Sequence, residues 1–289
     1  MKKWMAVLLA AAMLCGAALA EAAEFPQDMV IPEGTQTQLD LDGDGKAETV
    51  SWETLQPDEY TDQFVLTVTP EGGEALTFEP EYFYITGVYA ADLDGDGATE
   101  LLMSGDEASD DYLTYCLRLR GGKLEPALFA DAFRSTDNSG YYKYGYGMIT
   151  GIEDNRVTLS GSQDVLGTWF ATRVYALEDN GLFEFADEGE WVRDMDISEL
   201  DDEFWDEAYA CLTVKKALTY TAADGAEAEL PVGAKLLVTA SDKQTYARFI
   251  TRDGVTGTLD ICPDFDRGWG MLVNDEPEDD WFEMIPYAD

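Results

Sequence analysis

The chain has 289 residues and a formal net charge of −41, with 59 acidic side chains against 18 basic ones. Such a surface repels nucleic acid and anionic membranes, which excludes both as partners. Histidine is absent from the chain. This absence excludes catalysis by Ser-His-Asp or Cys-His arrangements and zinc sites built on imidazole.

The first twenty residues have the three parts of a secretory signal peptide. They are the basic start Met1-Lys2-Lys3, an apolar stretch from Trp4 to Leu14, and the small-residue site Ala18-Leu19-Ala20. We therefore expect cleavage after residue 20, which takes the net charge to −43. An uncleaved anchor is the alternative, but the apolar stretch is short for a membrane span. No later stretch is long and apolar enough to span a bilayer, so the predicted location is secreted or cell surface.

The four cysteines leave two questions open. Cys15 allows lipid attachment as an alternative to simple cleavage, although the bulky Leu14 stands where bacterial lipoproteins usually carry a small residue. The other three, Cys116, Cys211 and Cys262, are an odd number and cannot form a complete disulfide framework. Cys211 and Cys262 bracket one segment and can pair, while Cys116 is predicted on the polar side of a strand.

Residues 24–190 are predicted to form a mainly β domain, because short runs rich in Val, Leu, Thr, Tyr and Phe alternate with glycine turns. Three similar hairpins turn at Gly72-Gly73, Gly121-Gly122 and Asn180-Gly181, and their spacings of 49 and 59 residues suit a four-stranded blade. About three units are therefore expected.

Two loops of the form Asp-x-Asp-Gly-Asp-Gly-x-x-Glu, at 40–48 and 92–100, predict calcium sites. Calcium takes six to eight oxygen ligands, and alternating residues of a tight turn can direct their carboxylates at one ion while the seventh residue offers its carbonyl. Crowded carboxylates repel one another without a cation. The predicted ligands are Asp40, Asp42, Asp44, Lys46, Glu48, Asp92, Asp94, Asp96, Ala98 and Glu100.

These loops differ from EF-hands, because the twelfth positions hold Ser51 and Met103 and both loops run into strands rather than helices. An acidic turn without metal is the alternative for each loop. The third unit keeps only Glu153-Asp154-Asn155 at this place and is predicted to lack a metal.

The stretch Val88-Tyr89-Ala90-Ala91-Asp92-Leu93-Asp94-Gly95-Asp96-Gly97-Ala98-Thr99-Glu100-Leu101-Leu102 resembles an FG-GAP/VCBS repeat, the unit of integrin α-chain propellers and of many secreted bacterial proteins. The resemblance covers about residues 30–190. It implies β-propeller-type blades in which calcium holds the connection between strands, typically in adhesion or ligand-binding proteins. Three blades are fewer than a closed propeller needs. The expected fold is therefore a partial or open array, with a sandwich as the alternative.

The acidic segment 191–210 is predicted to be a linker with a short helix. Ser198 is the expected N-cap, and Leu200, Phe204 and Ala208 share one face at a spacing of four residues.

Residues 211–289 are predicted to form a second β module with an acidic, aromatic tail. The turn Asp253-Gly254-Val255-Thr256-Gly257-Thr258-Leu259 resembles the final turn of bacterial SH3-like barrels, although Thr258 replaces the usual aromatic residue. The resemblance implies binding to cell-wall peptides or another envelope partner, and a purely structural appendage is the alternative. The run Glu276–Asp280 is predicted to be solvated. The tail aromatics Trp269, Trp281, Phe282 and Tyr287 are expected to cap a core, with sugar stacking as the alternative.

These patterns together predict a secreted, calcium-stabilised and non-catalytic binding or adhesion module of the bacterial cell envelope or secretome. Its expected partner is a cell-wall peptide, a glycan or an envelope protein. A carboxylate-dependent glycosidase and a purely structural scaffold remain as alternatives, because the many acids allow almost any carboxylate pair.

Overall fold

The computed structural model describes residues 29–58, 61–80, 84–106, 112–130, 141–153, 155–186, 189–206 and 211–287. Strands make up 57% of the structure and helices 5%, which confirms the mainly β class. Within these ranges none of the sheets closes on itself, and no helix has the length and apolar character to cross a membrane. The predicted signal peptide, residues 1–20 with Cys15, lies outside the described residues.

The first sheet is a four-stranded antiparallel meander in the order β1-β2-β3-β4. Apolar and polar residues alternate along β3, so that Phe64, Leu66 and Val68 are buried on one face of the sheet. The strands are β1 (Thr37–Leu39), β2 (Glu48–Asp58), β3 (Thr61–Thr69) and β4 (Leu76–Phe78).

The second sheet contains an antiparallel meander of the same connectivity, with each strand paired to the next along the chain. Its central strands are buried on both faces, as continuous apolar runs indicate. The strands are β5 (Tyr84–Ala91), β6 (Glu100–Asp106), β7 (Tyr112–Arg120) and β8 (Lys123–Pro126).

Three short strands connect this sheet to the next. They are β9 (Leu128–Ala130), β10 (Tyr141–Tyr142) and β11 (Gly145–Tyr146). The last of them pairs with β7, so that the second sheet has five strands.

A third meander follows, and it also pairs its four strands in chain order. Its strands are β12 (Met148–Glu153), β13 (Arg156–Asp164), β14 (Thr168–Leu177) and β15 (Leu182–Phe185). The three hairpins found in the sequence each join the third and fourth strands of a meander. The second and third meanders also share a β-bulge between their first two strands, at Thr86 and at Thr150.

The three meanders stack face to face, with the second in the middle. One of its faces packs against the first meander, where Leu101, Met103 and Leu117 meet Leu66 and Val68. The other face packs against the third meander through Leu102, Cys116, Phe129, Leu159 and Phe183, among others. Cys116 shares its side of β7 with Thr114 and Arg118, as its alternation indicated, but the third meander covers that side and the Cys116 side chain is fully buried.

The segment after the third meander begins with β16 (Trp191–Arg193) rather than with a linker helix. This strand pairs with β14 on one side and with β20 on the other, so one sheet runs through the boundary predicted near residue 190. A 3-10 helix, Ile197–Glu199, and an α-helix, Asp202–Asp206, follow.

The N-cap of the 3-10 helix is Asp196, whose carboxylate accepts from the Ser198 backbone N–H at 2.9 Å. The prediction of Ser198 as N-cap is wrong, because Asp196 holds the cap position and Ser198 lies inside the 3-10 helix. Leu200 lies before the α-helix in an extended conformation, so it does not share a helix face with Phe204. Both residues pack on the cluster of Trp205, Cys211 and Leu237, whereas Ala208 lies outside the described residues.

The C-terminal strands form the sheet order β20-β21-β22-β18-β19, with β17 beside β20 and the pair β23-β24 beside β22. They are β17 (Leu212–Thr213), β18 (Leu218–Ala222), β19 (Glu227–Leu230), β20 (Lys235–Ser241), β21 (Tyr246–Thr251), β22 (Thr256–Pro263), β23 (Met271–Val273) and β24 (Glu276–Pro277), before a helix at Glu278–Trp281. Cys116, Cys211 and Cys262 are all free thiols.

The two glycines of the Asp-Gly-x-x-Gly turn are required for different structural reasons. Gly254 has a φ of 79°, which a glycine adopts without strain. Gly257 lies flat against two rings, because an added Cβ would stand 2.7 Å from Tyr220 Cε2 and 3.0 Å from Phe249 Cζ. The turn thus packs closely on the module's own core.

The acidic, aromatic tail departs from its predicted character at Glu278 and at Trp269. Glu278, inside the run expected to be solvated, is fully buried. Trp281 and Phe282 belong to the C-terminal core as expected, but Trp269 remains 57% exposed. That part of the prediction is therefore right for two of these aromatics and wrong for Trp269.

Candidate metal centres

Both predicted calcium loops join the first and second strands of a meander, the first between β1 and β2 and the second between β5 and β6. Because neighbouring meanders stack, the loops lie side by side at one rim. The Thr99 backbone N–H donates to the Asp40 carbonyl at 2.9 Å, and a Cβ on Gly43 would stand 3.7 Å from Ala98 Cβ. The two loops are therefore in direct contact.

The first loop is folded around its own carboxylates. Both oxygens of Asp40 accept from the backbone, Oδ1 from Gly43 at 2.8 Å and Oδ2 from Gly45 at 2.9 Å. The next two aspartates each accept from the N–H two residues further on, Asp42 from Asp44 at 3.2 Å and Asp44 from Lys46 at 2.8 Å. These bonds hold three carboxylates on the inside of one turn.

The second loop repeats every one of these bonds. Asp92 accepts from Gly95 at 2.8 Å and from Gly97 at 3.1 Å. Asp94 accepts from the Asp96 N–H at 3.3 Å, and Asp96 from the Ala98 N–H at 2.8 Å. Sequence spacing that matches in two places has therefore produced the same local fold in two places.

The glycines at the fourth and sixth positions make this turn possible. Their φ angles are 73° and 82° in the first loop, at Gly43 and Gly45, and 73° and 88° in the second, at Gly95 and Gly97. Residues other than glycine rarely adopt this left-handed backbone conformation. Glycine there lets the backbone N–H groups turn inward to the first aspartate.

The ninth-position glutamate connects the end of each loop to its start by a hydrogen bond. Oε2 of Glu48 accepts from the Leu41 N–H at 2.8 Å, and Oε2 of Glu100 accepts from the Leu93 N–H at the same distance. Both glutamates are buried. Burial raises the pKa of Glu100 to about 7, although the Leu93 N–H and Arg118 lower it.

The donor set fits calcium. Two oxygens that each lie roughly 2.3–2.6 Å from one ion are at most about 5 Å apart. Ligand atoms of Asp40, Asp42 and Asp44 meet this condition, with all three within 4.8 Å of one another. In the second loop Asp92, Asp94 and Glu100 meet it. All donors are carboxylate oxygens, the ligands that a hard divalent cation prefers.

The remaining predicted ligands are placed differently. Asp96 is not in the compact group of its loop, because its carboxylate faces two guanidinium groups. The Lys46 side chain points to solvent, 63% exposed, with Nζ 3.8 Å from Asp44 Oδ2. Ala98 is buried against the first loop.

Arg118 is a residue of this site that the sequence did not reveal. It lies on β7, beside Glu100, and its guanidinium contacts Asp94 at 2.5 Å and Glu100 at 3.2 Å. The cross-strand pairing of Leu101 with Leu117 places it there. Only the register between β6 and β7 could have indicated this contact, and sequence spacing does not fix that register.

The third meander has a two-residue turn in place of a loop, since Glu153 pairs directly with Arg156. Asn155 adopts a φ of 62° in this turn, and its Nδ2 would stand 3.8 Å from a Cβ on Gly95. No third acidic cluster that could hold a metal occurs among the described residues. The third meander therefore has a tight turn at the place where the first two meanders have acidic loops.

We compared the chain with protein-family models, with curated proteins and with solved structures, and none of them matches. The geometry of the two loops is therefore the main support for a functional assignment.

Proposed function

We propose that this protein is a secreted, non-catalytic binding or adhesion module of the bacterial cell envelope, stabilised by calcium in the two loops. The ligands would be Asp40, Asp42, Asp44 and Glu48 in the first loop and Asp92, Asp94, Asp96 and Glu100 in the second, with the carbonyls of Lys46 and Ala98. Calcium supplies positive charge that offsets carboxylate repulsion and ties the first two strands of a meander together.

One observation carries the proposal: two loops 52 residues apart share every internal hydrogen bond and hold three ligand oxygens within 4.8 Å. An acidic surface turn that binds no metal would not be expected to have the same hydrogen bonds and the same clustered carboxylates in two places. Repulsion between the crowded carboxylates favours states in which a cation is present.

The stacked four-stranded meanders are consistent with FG-GAP/VCBS-type blades in an open array, and the C-terminal strands are consistent with an SH3-like module. Calcium then acts as a structural joint rather than as a catalyst. The partner we propose is a cell-wall peptide, a glycan or another envelope protein, and the strong negative charge favours a neutral or basic one.

Thermal unfolding in millimolar calcium and in chelator tests the metal. Each occupied loop is expected to add about 1–2 kcal/mol, which corresponds to a midpoint rise of about 2–8 °C for a chain of this size. The double variant Asp42→Asn with Asp94→Asn should lose this rise, since each substitution removes one ligand charge from the centre of a loop.

The matched control replaces two exposed acids away from the loops, Glu53→Gln with Glu227→Gln. It changes the net charge by the same amount and should retain the full calcium response. A metal-free preparation whose unfolding midpoint does not rise when calcium is added would count against calcium binding. If the control variant loses as much of the rise as the loop variant does, the effect comes from net charge and not from the loops.

Cosedimentation with purified bacterial cell walls, together with a glycan array, tests the binding role. We expect the full chain to pellet with the walls in calcium, and less of it to pellet in chelator, because the metal ties the first two strands of a meander together. If the chain stays in the supernatant and binds no glycan on the array, both in calcium and in chelator, the binding role is rejected and the scaffold alternative is favoured.

A further inference from the structure

The guanidinium of Arg118 fills the second loop. Its Nη2 lies 2.5 Å from Asp94 Oδ2 and 3.6 Å from Asp96 Oδ2, while its Nε lies 3.2 Å from Glu100 Oε1. The Arg118 side chain is only 7% exposed, and the side chains of Asp94 and Glu100 are 3% and 1% exposed. Short, charge-assisted contacts of this kind are the strong ones when they are removed from water.

Among the described residues, no buried guanidinium or ammonium group contacts the carboxylates of the first loop. In the second meander Leu101 pairs with Leu117, which places Arg118 beside Glu100. In the first meander Thr49 pairs with Thr69, so the residue beside Glu48 is Pro70. Lys46 is an exposed basic residue of the first loop itself, with Nζ 3.8 Å from Asp44 Oδ2. Two loops with the same backbone therefore differ in their charge.

This difference changes the donor set of the second loop. Asp96 stands between Arg118, at 3.6 Å, and Arg120, at 3.5 Å. The corresponding Asp44 is one of the three clustered ligands of the first loop, whereas Asp96 is absent from the second cluster. An ion entering the second loop must share or displace the guanidinium contacts, because Asp94 and Glu100 serve both.

We propose that Arg118 is an internal cation that holds the second loop closed without metal and lowers its affinity for calcium, so that the first loop depends on calcium and the second does not. The inference rests on the proposed calcium function for the affinity of each loop. The part of the inference that Arg118 holds the second loop closed without metal does not depend on calcium binding.

Calcium titration of a single loop measures the effect of Arg118. The double substitution Asp40→Asn with Asp42→Asn removes two ligands of the first loop and so disables its calcium site. Isothermal titration with calcium chloride then measures the affinity of the second loop alone. Adding Arg118→Met, which keeps the length and apolar body of the side chain, should tighten binding by about tenfold or more, since one charge-assisted contact no longer competes. The matched control is Lys123→Met on the adjacent strand β8, which removes the same charge from an exposed position; it should change the affinity less than about threefold.

A second measurement needs no metal. Hydrogen exchange in chelator should show slower exchange at the N–H groups of Gly95, Gly97 and Ala98 than at those of Gly43, Gly45 and Lys46. Arg118→Met should abolish that difference. Equal exchange in the two loops of the unmodified protein would overturn the inference.

The outcomes separate the inference from the proposed function. If the first loop binds calcium and Arg118→Met leaves the second-loop affinity unchanged or weakens it, the inference fails and the calcium function stands. If neither loop binds calcium while the exchange difference is present, the calcium function fails and the internal cation stands. Should Arg118→Met not fold, as circular dichroism would show, Arg118→Lys replaces it, with a smaller rise in affinity expected because a lysine cannot make the forked contacts.

Discussion

The Trp191→Ala variant is expected to lose about 3–5 kcal/mol of its free energy of unfolding. Trp191 is 2% exposed and belongs to the largest apolar cluster. It also lies under the Arg173 guanidinium, whose central carbon is 4.5 Å from the indole ring. Its strand, β16, pairs with β14 on one side and with β20 on the other. Removing the indole leaves a cavity and deprives the buried Arg173 of one aromatic partner, while Phe185 remains.

Urea denaturation followed by circular dichroism measures this loss. The control is Val192→Thr on the same strand, because Val192 is 46% exposed and a β-branched residue is kept; its free energy of unfolding should stay within about 0.5 kcal/mol. A loss below about 1 kcal/mol for Trp191→Ala would mean that β16 does not hold the third meander to the C-terminal strands.

Raising the pH through 7 is expected to destabilise the protein through Glu278. Burial raises the pKa of this carboxyl from 4.5 to about 7, although the Tyr287 hydroxyl lies 3.0 Å from both of its oxygens. The unfolded chain deprotonates first, so the contribution of the protonated acid is complete below pH 4.5 and is lost as the pH rises through 7. Between pH 5 and 8 the loss is on the order of 2–3 kcal/mol.

The Glu278→Gln variant should remove this part of the pH dependence, since the amide stays neutral and its oxygen still accepts from Tyr287. Free energies of unfolding at pH 5 and pH 8, measured in chelator, give the comparison. Glu283→Gln is the matched control, because Glu283 is exposed nearby and should leave the pH dependence as it is. The same slope in Glu278→Gln and in the unmodified protein would contradict the assignment to this carboxyl.

The parts of the structure that sequence could predict are the local ones. The loop at 40–48 needs only its own aspartates, glycines and Glu48, since every hydrogen bond named above within it spans seven residues or fewer. The hairpins with glycine turns and the mainly β class are equally local properties.

The parts that sequence missed depend on tertiary packing. Arg118 enters the second loop through a strand register, and Glu278 is buried because the C-terminal residues, with Tyr287, fold over it. Cys116 stands in a pattern that alternates like a half-exposed strand, yet the third meander covers that face. No short-range pattern reports which face another sheet will cover.

The middle position of the second sheet also determines the chemistry of its thiol. Cys116 faces the third meander with no exposed surface, and burial raises its pKa well above the ordinary value. The thiolate is the form that reacts with oxidants and disulfides. Cys116 therefore stays inert for as long as the second and third sheets remain stacked, and it becomes reactive only when they separate, so oxidation of this thiol would record such an opening of the molecule.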